Sequence, residues 1–544
     1  MGDLNGTSID TRSAGSTQLG RFGRLRDRRV VASTGSIVLG WVASGLVVLG
    51  GTDRLENMAR IVAITGVTLL VANHLSARRI RWALMAGGVV GLGLVAGAGR
   101  SLLVMVTAGV GLVAAVVIAG PATPIRRSLP AGEAGASGDR GNVLVSESRS
   151  PRPWAIGSVL RPAAAWGAAT VLANWLSFGN RFPPFIDTKG RLLGDFWFYR
   201  TIAQHGYPSG QGLEVGYPAF PLLLRALGPF LGGIDSAAIV LAALAGLGAT
   251  VLFWRWTEVM GLDRRAQWGA VGFFVFYPYA QSLHGIGYPD SSLVALAVAS
   301  LLLVESRRYV LAGLVAAVAT AMRPNALPLV PALLLLTWER SGVLELGAAQ
   351  QIPLQRLLER PRSVLQHCRL HWERFRMVCL APALSLLGIG AYSAWLWGST
   401  GDPLRFWTAQ HEWGHFPATR ITTWLKVPVL QRFDDYVSIA TPWRVADDVL
   451  TFALIAMALL FVPAIARRFG LGYAALVAGL AVIPIAASDG FFTPGGRLLL
   501  PAFPVVALVA ERLSSRPRWL GVTVGSTAAL FLLATYGFAN GYWS

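Results

Sequence analysis

The chain has 544 residues, of which 54% are hydrophobic and only 14% charged, whereas soluble domains carry about 25% charged residues. Composition therefore excludes an ordinary soluble body and points to a polytopic membrane protein. The net charge of +19 lies in short arginine runs between apolar stretches; with no groove-reading module beside it, nucleic acid is disfavoured as a partner and membrane lipids are favoured.

Residues 1–29 form a polar tail, and the first apolar run, 30–50, has the length of a membrane span rather than of a cleavable leader. Runs at 57–75, 82–98 and 101–120 complete a four-span N-terminal block, closed by a Pro-, Gly-, Ser- and Arg-rich linker at 121–154. Residues 155–544 carry further apolar stretches at 156–178, 236–256, 266–284, 289–304, 308–322, 325–338, 376–397, 449–466, 471–487, 497–511 and 518–537. The expectation is an all-α polytopic fold of about 15 spans. The stretch 289–338 is compressed enough to hide a broken or re-entrant helix. Residues 339–375, rich in Arg and Gln, predict a cytoplasmic segment with surface-lying amphipathic helices.

Sidedness follows from the arginines. Arg78, Arg79, Arg264, Arg265, Arg307, Arg308, Arg467, Arg468 and Arg512 all fall in alternate loops, which places the N-terminus and those loops in the cytoplasm. The other connectors fall outside, and two of them, 179–235 and 398–448, are long and dense in Trp, Tyr, Phe, His and Asp. Loops of that length and content are functional more often than connective. Cys368 and Cys379 are the two cysteines, so there is no disulfide framework.

Chemistry concentrates in the first long loop, at Gly194-Asp195-Phe196-Trp197-Phe198-Tyr199-Arg200 and on to His205-Gly206-Tyr207. At helical spacing Asp195 and Tyr199 share a face, with Ile202 and Ala203 beneath them. Asp195 is then either a carboxylate aimed into a cleft or a helix N-cap. Arg323 and Arg497 lie at the outer ends of apolar spans, where an arginine is costly unless it snorkels, pairs with an acid such as Asp489, or serves a site. A guanidinium fork suits a phosphate better than a lysine does, and the only lysines are Lys189 and Lys426.

With Tyr217-Pro218-Ala219-Phe220-Pro221 added, the Asp195 segment resembles the first luminal loop of the second-mannose transferase family of GPI-anchor assembly. Bacterial relatives within the GT-C superfamily of polyprenyl-phosphate-sugar glycosyltransferases resemble it too. The resemblance continues in order through Phe276-Tyr277-Pro278-Tyr279-Ala280, Ala321-Met322-Arg323-Pro324-Asn325, Gly401-Asp402-Pro403-Leu404, Ala409-Gln410, Trp413-Gly414 and Arg497-Leu498-Leu499-Leu500-Pro501, covering roughly 155–512. Where the eukaryotic pattern has Trp before the Asp and His three residues after it, this chain has Gly194 and Phe198. The resemblance implies a GT-C-like core, an inverting transfer from a polyprenyl-phosphate sugar to a glycan or glycolipid acceptor, and Asp195 as general base. Arg497, Arg323, Arg200 and Tyr199 would hold the donor phosphate and sugar, with Gln410, His411 and His415 assisting. Tyr288 and Glu214 would contact the acceptor or a sugar, and Asp290, at a span entrance, would do the same or simply cap that helix. No metal or cofactor is expected. A bacterial plasma membrane, with the site extracytoplasmic, is the expected location.

His411-Glu412-Trp413-Gly414-His415 is formally an H-E-x-x-H zinc motif. Gly414 and Pro417 weaken the helix that motif needs, and no third ligand follows at a usual spacing. The pairs Asp434-Asp435 and Asp447-Asp448 read as solvated loop charge or helix starts. A transporter would instead need repeated halves and midplane charge pairs, neither of which is apparent.

Overall fold

The computed structural model describes residues 156–177, 192, 194–208, 210–345, 369–413, 421–424, 442–486 and 495–539. The tail 1–29, the N-terminal block 30–120, the linker 121–154, Cys368, His415, Asp489, Asp434 and Asp435 lie outside the described residues. Internal contacts divide the chain into residues 1–111 and 112–544, and every described residue belongs to the second unit.

The described part of that unit is mostly helical. In chain order its main helices are α1 (Ile156–Ser177), α2 (Phe196–His205), α3 (Ala219–Leu231), α4 (Ile234–Val259), α5 (Arg264–Val275) and α6 (Asp290–Glu305). They continue with α7 (Tyr309–Thr320), α8 (Leu329–Ser341), α9 (Leu386–Thr400), α10 (Pro442–Arg468), α11 (Leu471–Ala486), α12 (Phe503–Ser514) and α13 (Pro517–Ala539). A 3₁₀ segment, Met377–Ser385, runs straight into α9. Among the described residues, five helical stretches are long and apolar enough to cross a membrane: 156–173, 234–259, 377–400, 444–468 and 517–539. The chain is therefore an all-α membrane protein in its described part.

Among the described residues, the remaining expected spans are short or broken. The compressed stretch 289–338 resolves into α6, α7 and α8 of 16, 12 and 13 residues, with a one-turn 3₁₀ segment (Pro324–Ala326) between the last two. A helix of 12 residues is about 18 Å long at 1.5 Å per residue, short of a bilayer's hydrocarbon thickness of ~30 Å. The stretch 497–511 is likewise split, into a one-turn helix (Gly495–Leu498) and α12. One expectation needs correction. The helix expected to begin at 449 begins at Pro442, so Asp447 and Asp448 lie within it and are 3% and 4% exposed rather than solvated. In 339–375, Leu344–Glu345 and Arg369–Leu370 pair as a two-residue antiparallel ladder, and residues 346–368, where the expected amphipathic helices would fall, lie outside the described residues.

Close packing of helices explains the small residues. On α4, Ala238, Ala242, Gly246 and Ala249 fall on one buried stripe at helical spacing. A Cβ on Gly246 would lie 2.0 Å from the backbone oxygen of Leu283, so that position admits no side chain.

Polar turns gather at two ends of the bundle. At the end reached by the C-terminus of α6, Arg340 grips Glu305 through two hydrogen bonds of 2.8 Å, and Arg468 grips Glu511. Arg265 there donates to the Ser514 carbonyl at 3.1 Å. The N-terminus of α6 marks the other end, with Asp290 as its first residue. These are the turns that the arginine pattern assigns to opposite sides.

Gly246→Ala should lower the melting temperature of the detergent-solubilised protein by an amount equivalent to about 1–3 kcal/mol. Gly248→Ala, with open space around its Cβ, should leave it unchanged. Equal melting of the two variants would contradict the packing described.

Candidate functional site

Four interruptions in the helices meet at the second end of the bundle. They are the start of α2, the turn before α6, the break between α7 and α8, and the one-turn helix before α12. Irregular backbone in a membrane protein is tolerated where it is buried in protein or lines a cavity. Each interruption delivers at least one charged or aromatic group.

Asp195 sits at the N-cap position of α2, but its side chain makes no capping hydrogen bond. Its Oδ2 instead accepts from Arg497 Nη2 at 2.5 Å, with the Asp195 side chain 41% and the Arg497 side chain 7% exposed. The pair thus has a buried cationic side and an accessible anionic side. Tyr288 completes it: the Asp195 backbone N–H donates to the Tyr288 hydroxyl at 3.2 Å, and the Arg497 guanidinium lies over the Tyr288 ring, 4.6 Å from its centroid. Gly194 makes this approach possible, since it has φ +59 and a Cβ there would meet the Tyr288 hydroxyl at 2.6 Å. A tryptophan in place of Gly194 would not fit.

The second pair is drier. Arg323 Nη1 donates to Asp290 Oδ2 at 2.5 Å, with side chains 10% and 1% exposed. Arg323 holds extended backbone, φ −159 and ψ 151, in the break between α7 and α8. Tyr199 is buried on the same α2 face as Phe196, Ile202 and Ala203, as the helical spacing requires. Burial pushes the Tyr199 phenol up, and it feels the charges of Arg323, Asp195, Asp290 and Arg497, so all five groups form one electrostatic cluster. Burial works against the Arg497 charge, but Asp195 and Asp290 more than offset this and hold it above the ordinary arginine range.

The cluster retains unused hydrogen-bonding capacity. Arg497 Nε, Asp290 Oδ1 and Asn325 Oδ1 are buried without a hydrogen-bond partner. Such atoms are rare in folded interiors because each costs about 1–3 kcal/mol of lost solvation, and ligand sites are where they are tolerated.

The other residues expected at the site fall into two groups. Arg200 turns away and pairs with Asp235 at 3.2 Å, half exposed. Glu214, Gln410 and His411 belong to a neighbouring cluster built from the two long loops, where Glu214 is buried and Arg405 pairs with Glu412. Residues 409–413 form a 3₁₀ turn and Glu412 is engaged by Arg405, so the half of the H-E-x-x-H motif that is described does not take the α-helical form. No group of three or more metal-ligating side chains occurs among the described residues.

The sequence reading missed the brace behind Arg497. The Tyr277 hydroxyl donates to the Gly496 carbonyl at 2.8 Å, and the Tyr279 ring occupies the space a Gly496 side chain would need. The Tyr279 hydroxyl reaches Asp447 Oδ1 at 2.5 Å and Thr451 at 2.9 Å. The only available signal was the pair of tyrosines flanking Pro278 at a helix break.

Comparison with protein-family models, with curated proteins and with solved structures finds no match to this chain.

Asp290→Asn should cost about 3–5 kcal/mol of stability by leaving the Arg323 charge buried and unpaired, and adding Arg323→Gln should recover part of that loss. Thermal melting of the two variants checks it. Equal stability of Asp290→Asn and the parent would contradict a buried ion pair.

Proposed function

We propose that the chain is a membrane glycosyltransferase that moves a sugar from a polyprenyl-monophosphate carrier to a glycan or glycolipid acceptor. The observation that carries the reading is the Asp195–Arg497 pair, an accessible carboxylate beside a buried guanidinium whose Nε–H lacks an acceptor. The Asp195 motif and its sequels supply the sugar class by resemblance: mannose, with a pentose such as arabinose as the alternative. In this reading the site opens outside a bacterial plasma membrane.

The donor phosphate would compete with Asp195 for Arg497, take up the free Nε–H, and draw the guanidinium toward itself. Asp195, released from full pairing, would accept the proton of the acceptor hydroxyl as that oxygen attacks the anomeric carbon. The bond from that carbon to the phosphate oxygen breaks on the opposite face, and polyprenyl phosphate leaves as an anion stabilised by Arg497 with Arg323 behind it. Configuration at the anomeric carbon inverts. The proton stays on Asp195 until solvent removes it through the exposed side of the pair.

A transporter reading has less support. The pairs lie at one end of the bundle beside helix breaks, and α6 carries ion pairs at both its ends but none along its length among the described contacts.

Transfer from radiolabelled polyprenyl-phosphate sugars in proteoliposomes tests the proposal. Wild type should transfer mannose or a pentose, Asp195→Asn should be slower by about 10²–10⁴, and its donor affinity should persist. Wild-type transfer rates in a folded Asp195→Asn would remove the assigned base.

A further inference from the structure

Beside the Asp195 cluster lies a second polar site, formed where the two long loops touch. Glu214, in the 3₁₀ turn Leu213–Val215, is 5% exposed and its Oε2 has no hydrogen-bond partner. The nearest cation is Arg405, whose Nε stands 4.0 Å away while its Nη2 binds Glu412. Trp413 seals the junction by donating from its indole to the Gly212 carbonyl at 3.0 Å. A second orphan is close by: the Tyr217 hydroxyl is buried without a partner, and its ring packs on Tyr392, whose own hydroxyl donates to the Glu214 carbonyl.

The same junction carries an aromatic platform. Trp413 meets Phe198 edge-on at 4.5 Å and Trp197 at 5.6 Å, while Trp197 and Phe198 stack at 4.4 Å. Trp197 is 44% exposed. Both Trp197 and Phe198 stand in the first turn of α2, which starts from Asp195, so the platform adjoins the accessible carboxylate.

We propose that this junction is the binding site for the acceptor, and that it takes an uncharged sugar ring. The assignment rests on the transferase reading for the word acceptor, but the binding chemistry is independent of it. An aromatic face next to a carboxylate that lacks a donor suits a polyol, whose C–H face lies on the rings while its hydroxyls donate to Glu214. The charge count sets the specificity. Among the described residues, Glu214 and Glu412 face the guanidinium of Arg405, a formal balance of −1, which disfavours phosphorylated or uronic sugars and separates this site from the phosphate-seeking Arg497.

The test uses the purified full chain in nanodiscs with no donor present. Saturation-transfer NMR is recorded with neutral methyl glycosides of mannose, glucose, galactose and arabinose, and with mannose 6-phosphate. At least one neutral glycoside should receive saturation at its ring protons, and mannose 6-phosphate should bind no better. Glu214→Gln and the half-exposed Trp197→Ala should each weaken the neutral ligand about tenfold, with melting temperatures near that of wild type. Tighter binding of the phosphorylated sugar, no binding of any neutral glycoside, or affinity unchanged in both variants would overturn the site. A chain that binds neutral sugar here but never transfers keeps this site and loses the transferase reading. One that transfers with an acceptor KM unaffected by Trp197→Ala keeps the transferase reading and loses this site.

Discussion

The ion pair between Asp195 and Arg497 is the constraint on which the described architecture turns. A guanidinium 7% exposed needs an anion nearby, and this one obtains it from a segment 302 residues away in sequence. Holding the two together requires that Gly194 bend with positive φ, that Tyr288 touch both partners, and that the one-turn helix at Gly495–Leu498 stay fixed. Tyr277, Tyr279 and Asp447 fix that helix from behind. The Asp290–Arg323 pair completes a cluster of two acids and two arginines with no net formal charge. In the proposed reading, a phosphate offered to Arg497 would exchange one partner for another rather than create an unpaired charge.

The functional groups stand at interruptions of the helices instead of along them. A continuous span satisfies its backbone internally and offers the site nothing but side chains. Interruptions at 194–195, 288–290, 321–326 and 495–502 bring backbone and side chains to one place, while close helix contacts such as Gly246 against Leu283 hold the surrounding bundle rigid. Rigid support is what keeps groups from four separate interruptions within hydrogen-bonding reach.

Much of this was legible in the sequence, and the reasons differ by residue. Arg323 and Arg497 stood out because an arginine at a span end is costly unless used, Asp195 as a carboxylate among aromatics, and Asp290 and Tyr288 by their place at a span entrance; the structure brings these five together. Their pairing was not legible: Arg497 was a candidate to pair with Asp489, and nothing in a single sequence says which distant acid faces which arginine. Asp195 as a helix cap was a fair alternative, and the missing capping bond removes it. Helix lengths misled where apolar composition continues through a break, as at 321–328 and 499–502. Asp447 was misread because the apolar run begins at 449, whereas the helix begins a full turn and more earlier with Trp443, Val445 and Ala446. The Glu214–Arg405 contact joins two loops far apart in sequence, so only the folded chain reveals it.

The most direct measurement of the central claim is the affinity for sugar-free polyprenyl phosphate in nanodiscs, compared across wild type, Asp195→Asn and Arg497→Gln. If the carboxylate and the phosphate compete for one guanidinium, removing the carboxylate should tighten phosphate binding and removing the guanidinium should weaken it. Looser binding in Asp195→Asn, or unchanged binding in Arg497→Gln, would contradict the account.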